Sequence, residues 1–512
     1  MTFLAGTALG AEWTPTASLG LGAVLSSNAS VGGVAGTATA GGVPVAGAGG
    51  RAGASDLILL TSPVLGLKGA GDRLKLDVLY SPVIRGFLND SNPDRIINNL
   101  RGNATLEAVD NLLFLEGLAT IIQTEISPFG GGVNDPALAN RNRTESRTLG
   151  VAPYLNGRLP GGAQYNLRYD YRQTHLSTSA LADSTFNEVS ATLGGQAQSF
   201  AVPAAELRYS TREVGGTQVS ESTIARLRGT LNVGPDFVPF ASVGYEDNQY
   251  RFQQITGTTY GAGFRWAPTP RTSVVANLEK RFFGSSYTVD ADHRMSRMSF
   301  SFNASRSEQV LPGLFGQTVS RAVDTRSLLD QALQSTIADP VARQSEVERL
   351  MVLRGLPDQL VGTQSLLSTR VNLVTSIQPS FTLLGVRNSI TASVFRRETR
   401  PLTVSLATGL PDPFAATSAI VRQGLTLSAS HQISPRTTLT ADVTLARTSG
   451  TATVAGGTSP ESRQQLFRLN ASHSLNSRTS VSAGLRWQRF DSNQANDFQE
   501  NALLVNVNHS FY

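Results

Sequence analysis

Between residues 73 and 80 the chain alternates strictly: Leu74, Leu76, Val78 and Tyr80 share one side, and Arg73, Lys75 and Asp77 share the other. Residues 164–172 repeat the arrangement, with Tyr165, Leu167, Tyr169 and Tyr171 set against Gln164, Asn166, Arg168, Asp170 and Arg172. A period of two is the mark of a β-strand with two unlike faces. It recurs along the chain in segments of about 10 residues separated by turns. A soluble sandwich also alternates, but it leaves sheet edges and turns its polar face outward. Rows of aromatic and aliphatic side chains opposite rows of charge, in strand after strand, require closure into a barrel, which removes the edges.

The connections alternate as well. Short turns fall at 67–72, 109–111, 157–162, 234–236, 267–271, 434–436 and 476–478. Longer polar connections fall at 26–55, 86–98, 127–145, 246–257, 399–419, 448–462 and 491–499. Short periplasmic turns and long extracellular loops are how outer-membrane barrels are joined. The expected fold is therefore all-β: a transmembrane antiparallel up-and-down barrel of about 22 strands, within a range of roughly 16–22. The expected location is the outer membrane of a Gram-negative bacterium. Three turns share a signature, Thr269-Pro270-Arg271-Thr272, Ser434-Pro435-Arg436-Thr437 and Asn476-Ser477-Arg478-Thr479. Pro or Asn/Ser fixes the bend and a β-branched Thr restarts the strand, so the signature reads as hairpin repetition.

Composition agrees. At 512 residues, 40% hydrophobic and 16% charged, the chain shows no compositional break of the kind that separates domains, and residues 11–512 read as one barrel. No window holds the roughly 20 uninterrupted apolar residues of a spanning helix. There is no cysteine, which excludes disulfides, thiolate metal sites and cysteine nucleophiles. Residues 1–10 read as the remnant of a secretory signal, apolar and ending in small residues before Ala11. No N-terminal plug domain of the size a gated uptake receptor carries is expected. The basic residues, of which only Lys68, Lys75 and Lys280 are lysine, are scattered rather than gathered in a patch, so nucleic acid is not an expected partner.

Two segments break the alternation. Residues 28–53 form a Gly/Ala/Val low-complexity run that can bury little. Residues 320–362 form a helical insertion: Ser327 to Asp330 resembles a capped start, and Asp339-Pro340 supplies an N-cap and first turn for a second helix ending at Gly355. Parity places the insertion on the extracellular side, where it is either a plug or constriction of the barrel or a surface helical hairpin.

No catalytic constellation emerges. His175, His293, His431, His473 and His509 are scattered, with no partner at metal-ligand spacing. Asp90, Asn92 and Asp94 start like a calcium loop, but Arg95 and Arg101 stand where glycine and glutamate are needed. No enzyme activity, cofactor or metal is expected. Functional weight falls on the polar face, where Arg73, Lys75, Asp77, Arg168, Asp170, Arg172, Arg208, Arg226, Arg228, Arg468, Arg486 and Gln488, with Glu206, are the candidate lumen-lining residues. Such charges select solutes in a pore, or stiffen a barrel as ladders across its lumen. The last strand ends in Phe511 and Tyr512, the aromatic end that barrel-assembly machinery reads, with Phe511 in the apolar register and His509 interrupting it.

At Trp13-Thr14-Pro15, Ser18 to Leu21, 56–68 and 74–80 the sequence resembles the PEP-CTERM system-associated outer-membrane β-barrel proteins. The likeness continues through 111–129, 244–248, 260–266 and 281–284, spans about residues 12 to 306, and is looser beyond. The resemblance implies association with exopolysaccharide and exosortase gene clusters, and it brings no catalytic residues. The expected function is a pore or assembly component in exopolysaccharide export or surface sorting. A general diffusion porin for small hydrophilic solutes and a closed structural barrel are the alternatives. Expected partners are outer-membrane lipid and lipopolysaccharide, the barrel-assembly machinery, exopolysaccharide and periplasmic export components.

Overall fold

The computed structural model describes residues 12–31, 54–89, 92, 95–130, 137–140, 142–177, 183–195, 199–310, 329–330, 370–404, 414–453, 457–476, 478–495 and 497–511. The first crossing strands are β1 (Glu12–Ser26), β2 (Asp56–Ala70), β3 (Leu74–Tyr80, resuming as Val83–Phe87), β4 (Arg95–Ile97, resuming as Leu100–Val109) and β5 (Leu113–Glu125). Next come β6 (Arg143–Arg158), β7 (Gln164–Leu176), β8 (Ser184–Gly194), β9 (Ala201–Val214), β10 (Thr217–Leu231), β11 (Phe237–Tyr250) and β12 (Gln253–Thr269). They are followed by β13 (Thr272–Arg281), β14 (Gly284–Arg294), β15 (Met298–Val310), β16 (Val371–Leu384) and β17 (Asn388–Pro401). The last are β18 (Thr417–Ser434), β19 (Thr437–Ala452), β20 (Glu461–Ser474), β21 (Thr479–Ser492) and β22 (Phe498–Ser510).

Each strand pairs antiparallel with its neighbours, and β22 closes on β1 from Ser18–Ser510 to Ser26–Ala502. Among the described residues this is a closed 22-stranded barrel, as the alternation predicts. The breaks in β3 and β4 lie side by side. Pro82 cannot donate to the ladder, and the pairing is carried there by Ser81 N to Asn99 O at 2.9 Å and Asn99 Nδ2 to Ser81 O at 3.2 Å.

Closure matters because a backbone amide without a partner is prohibitively costly in lipid. The face turned outward is apolar: Leu21, Leu149, Leu207, Leu227, Tyr260, Leu278 and Leu485 are all exposed. Trp13, Phe237, Trp266, Phe300 and Phe381 mark its periplasmic edge, the level at which interfacial aromatics anchor a barrel. Above Tyr260 the outward residues of β12 become Thr258, Thr256 and Gln254, so these strands rise beyond the apolar band.

The turn expectations need correction on one arc. Residues 246–257 were expected as a long loop, but β11 and β12 run almost into each other and are joined by Arg251 and Phe252 alone. Gly215-Gly216 and Phe282-Phe283 close the neighbouring extracellular hairpins just as tightly, so β9 to β14 carry no long external loop. Gly215 and Gly216 have φ of 58° and 75°, the left-handed conformation that a two-residue hairpin turn demands. Residues 1–10, most of the 28–53 run and the 320–362 insertion, apart from a helical Leu329-Asp330, lie outside the described residues.

Candidate functional site: the lumen and the loop folded into it

Alternation in a closed barrel turns every second side chain inward. On β7 these are Arg168, Asp170 and Arg172, and their partners form a network. Arg168 meets Glu116 of β5 at 2.6 Å and Asp170 at 3.3 Å, while Arg172 meets Asp170 at 2.7 Å. Tyr154 of β6 stacks on Phe114 at 5.0 Å between centroids, with the Arg168 guanidinium over its ring. A second ladder follows: Glu188 of β8, Arg208 and Glu206 of β9, Arg226 of β10 and Glu279 of β13. Arg228 lies 3.6 Å from the centroid of Phe240, lining with Arg226 and Glu206 a recess of about 290 Å³.

The other candidates fall in different places. Lys75 and Asp77 are exposed on the inward side of β3, with Asp77 across from Lys68. Arg468 lies directly across from Asp442 of β19. Arg73 belongs to the turn before β3, where it pairs with Asp110 of the adjacent turn at 2.7 Å. Arg486 and Gln488 point inward but are buried. Arg486 makes a two-pronged bond to Glu500 of β22, 2.9 Å from Nε and 2.7 Å from Nη2, with both side chains fully desolvated. Gln488 and Ser26 complete the Glu500 shell, Ser26 Oγ at 2.5 Å.

What buries this pair is the connection between β5 and β6. Its described residues, 126–130, 137–140 and 142, lie against the inward faces of the strands. Leu138 and Ala137, at 1% and 0% exposure, pack against the inward side chains Val24, Ile58, Phe87, Phe490 and Phe498. Arg85 of β3 donates to Leu138 O at 2.6 Å, and Ala139-Asn140 pairs in parallel with Ser30-Val31. The other end of the loop reaches further round the barrel: Phe129 packs on Phe414 and on Ile420 of β18, while Ser492 Oγ of β21 donates to Phe129 O at 3.0 Å. Gly450 of β19 leaves the room, since a Cβ there would lie 2.9 Å from Phe129 Cζ. Asn142 closes the neck, its amide accepting from Ser127 N and donating to Ser127 O, both at 2.8 Å.

Near Phe129 the wall is positive. Arg397 of β17 and Arg422 of β18 are register partners, and among the described residues their one acidic partner is Glu125, 4.0 Å from Arg422. Arg397 donates to Gln309 at 2.9 Å. Toward the periplasm the same wall is made of short hydroxyls and amides, among them Gln378, Ser380, Ser393, Thr391, Ser389 and Ser430, linked by hydrogen bonds such as Ser389–Ser430 at 2.8 Å.

The sequence pointed to 320–362 for a constriction and missed 126–142. The available signal was Ile126 to Phe129 and Ala137-Leu138, apolar residues in a connection that would otherwise be solvated. Phe511 faces outward, its N–H bonds Ala17 O at 2.8 Å and its ring stands edge-on to His509 at 4.9 Å; Tyr512 lies outside the described residues.

Among the described residues the chain is a closed antiparallel β-barrel with an apolar outward face. Among solved structures it is similar to the siderophore receptor PirA from Acinetobacter baumannii, over 97% of this chain and 80% of that one, at 8% identity and TM-score 0.46. It is similar to PirA from Pseudomonas aeruginosa over the same shares, at 10% identity and TM-score 0.38. The outer membrane protein opdK from Pseudomonas aeruginosa aligns over 97% of this chain and 99% of its own, at 8% identity and TM-score 0.34. No protein-family model and no curated protein matches the chain.

Proposed function

We propose that this barrel is a passive channel for hydrophilic, anionic solutes, with its aperture set by the β5–β6 connection, whose residues 126–130 and 137–140 lie inside the lumen. The observation that carries the reading is the loop's attachment at both ends: Leu138 sits in the β1–β3/β21–β22 wall and Phe129 in the β18/β19 wall. A segment fixed to two walls narrows a passage, and the charges around it determine what passes. Arg397 and Arg422 make the local field positive, and the hydroxyl wall offers donors and acceptors along which a carbohydrate can slide.

The family resemblance supports an acidic exopolysaccharide as the cargo, carried outward in an export or surface-sorting system together with periplasmic export components. General diffusion of small anions is the second reading, favoured by the recess beside Arg226 and Arg228, which has the size for a small solute. Lipopolysaccharide around the barrel and the assembly machinery acting on the Phe511 strand complete the proposed partners. The test is single-channel conductance of the refolded protein in a planar bilayer, with and without the host exopolysaccharide. Steady openings that the polymer blocks support the export reading, and openings indifferent to it support diffusion. A barrel that stays silent both as wild type and with residues 128–140 replaced by a short Gly/Ser link overturns the channel.

A further inference from the structure

Five successive periplasmic turns carry an arginine at the same position, immediately before the first residue of the rising strand: Arg271, Arg297, Arg387, Arg436 and Arg478. All five are exposed, and none of these turns contains Asp or Glu. Among the described residues, no guanidinium of the five meets a carboxylate or other acceptor. The first half of the barrel differs: Asp72, Asp110 and Asp236 sit in its turns, and Arg73 is neutralised by Asp110. Two strands separate successive arginines, a spacing of roughly 10 Å along the rim.

The same arc carries histidines. His293, His431, His473 and His509 lie near the periplasmic ends of β14, β18, β20 and β22, all on the outward face. Each is the register partner of the first residue of the preceding strand, and Nδ1 bonds that residue's side chain: Thr272, Asn388, Thr437 and Thr479, at 2.9, 2.6, 2.9 and 3.0 Å. Thr269 donates to Thr272 and Ser434 to Thr437, so these two threonines join the turn to the imidazole. Two residues beyond each histidine stands an exposed apolar side chain, Met295, Ile433, Leu475 or Phe511. Each imidazole is therefore a polar group set into an apolar outward row at the bilayer edge. The free ring nitrogen there needs a polar partner from the lipid, because an unpaired one is costly.

We infer that this arc is a binding surface for the phosphodiester headgroups of anionic phospholipids in the inner leaflet, with the turn arginines supplying the charge and the imidazoles beside them supplying further polar contacts. The inference does not rest on the channel reading. Each arginine near an anionic surface is worth about a fivefold preference for the charged lipid.

The experiment is native mass spectrometry of the detergent-purified barrel loaded with equal phosphatidylglycerol and phosphatidylcholine. Wild type is expected to retain phosphatidylglycerol at least about fivefold over phosphatidylcholine. R271Q/R297Q/R387Q/R436Q/R478Q should lose the preference, and H293F/H431F/H473F/H509F should lower retention of both lipids. Heat-modifiable gel mobility identifies closed barrels, and single Arg→Gln variants replace the fivefold one if it fails to close. Equal retention of the two lipids by wild type, or an unchanged preference in folded arginine variants, overturns the inference.

Discussion

Arg226 on β10 reaches across β11 and β12 to grip Glu279 on β13, with Nε–Oε1 at 2.8 Å and Nη2–Oε2 at 3.0 Å. The path is clear because the inward positions between them are Gly244 and Gly261. A Cβ on Gly244 would lie 2.9 Å from Arg226 Cγ and 2.3 Å from Ala225 O, and one on Gly261 would lie 3.1 Å from Glu279 Cβ. This is the sector whose extracellular hairpins close in two residues, so no external loop braces it. The ladder from Glu188 to Glu279 ties four strands, β8, β9, β10 and β13, together from the inside, and it keeps Arg228 and the recess beside Phe240 in place.

Substituting Gly244→Val should therefore dislodge Arg226 and destabilise the barrel by about 1–3 kcal/mol, the usual cost of overpacking. The midpoint of urea unfolding in detergent reads the effect. Arg226→Lys should lose the two-pronged geometry without the steric clash and fall between the two. A Gly244→Val barrel as stable as wild type would mean the wall is soft enough to accommodate the clash.

The loop should be released by a change on either side of its Phe129 contact. Gly450→Val places methyl groups where the Phe129 ring sits, and Phe129→Ala removes the ring itself. Both are expected to raise single-channel conductance in the same direction, because each frees the β18/β19 end of the loop while the Leu138 end stays attached. Truncating a packed aromatic costs about 3–5 kcal/mol of local stability, enough to detach a segment held by few other bonds. Unchanged conductance in both variants would show that the loop does not limit flow.

Much of the barrel was legible in the residues. Leu74, Leu76, Val78 and Tyr80 against Lys75 and Asp77 define the two faces of β3, and the parity of turns gives the count of 22 strands. The failure at 246–257 has a physical cause. Above the bilayer the outward face no longer has to be apolar, so Asp247, Gln249 and Gln254 look like loop while remaining hydrogen-bonded strand. The inward loop was hidden for a related reason: its fixing contacts, Phe129 to Phe414 and Leu138 to Val24, join residues hundreds of positions or several strands apart, which no local pattern encodes. The histidine arc, by contrast, was present in the sequence as four His-x-apolar strand endings, and it becomes meaningful only once the register pairs each with Thr or Asn.

The buried pair beneath the loop gives an asymmetric expectation. Glu500→Gln keeps the shape but leaves Arg486 charged and uncompensated at a fully desolvated position, which should cost about 3–5 kcal/mol. Arg486→Met with Glu500→Met removes both charges and should recover most of that loss, since well-packed apolar replacements of buried pairs are often neutral. Thermal unfolding followed by heat-modifiable gel mobility distinguishes them. Equal damage from both would mean that Gln488 and Ser26, left without Glu500, dominate the energetics of the site.

Charge selectivity is the most direct consequence of the channel reading. Arg397 and Arg422 stand side by side next to the loop, with Glu125 their one acidic partner among the described residues, so the narrow part of the passage carries an excess of positive charge. In a potassium chloride gradient the reversal potential should show chloride preferred. Arg397→Gln with Arg422→Gln should reduce that preference several-fold, because fixed charge counts most where the passage is narrow and poorly screened. Glu125→Gln should raise the preference by removing the one opposing charge. Arg73→Gln, at the periplasmic rim and already paired with Asp110, should leave it unchanged. If all four substitutions shift the reversal potential equally, selectivity belongs to the mouth of the barrel and not to the wall beside Phe129.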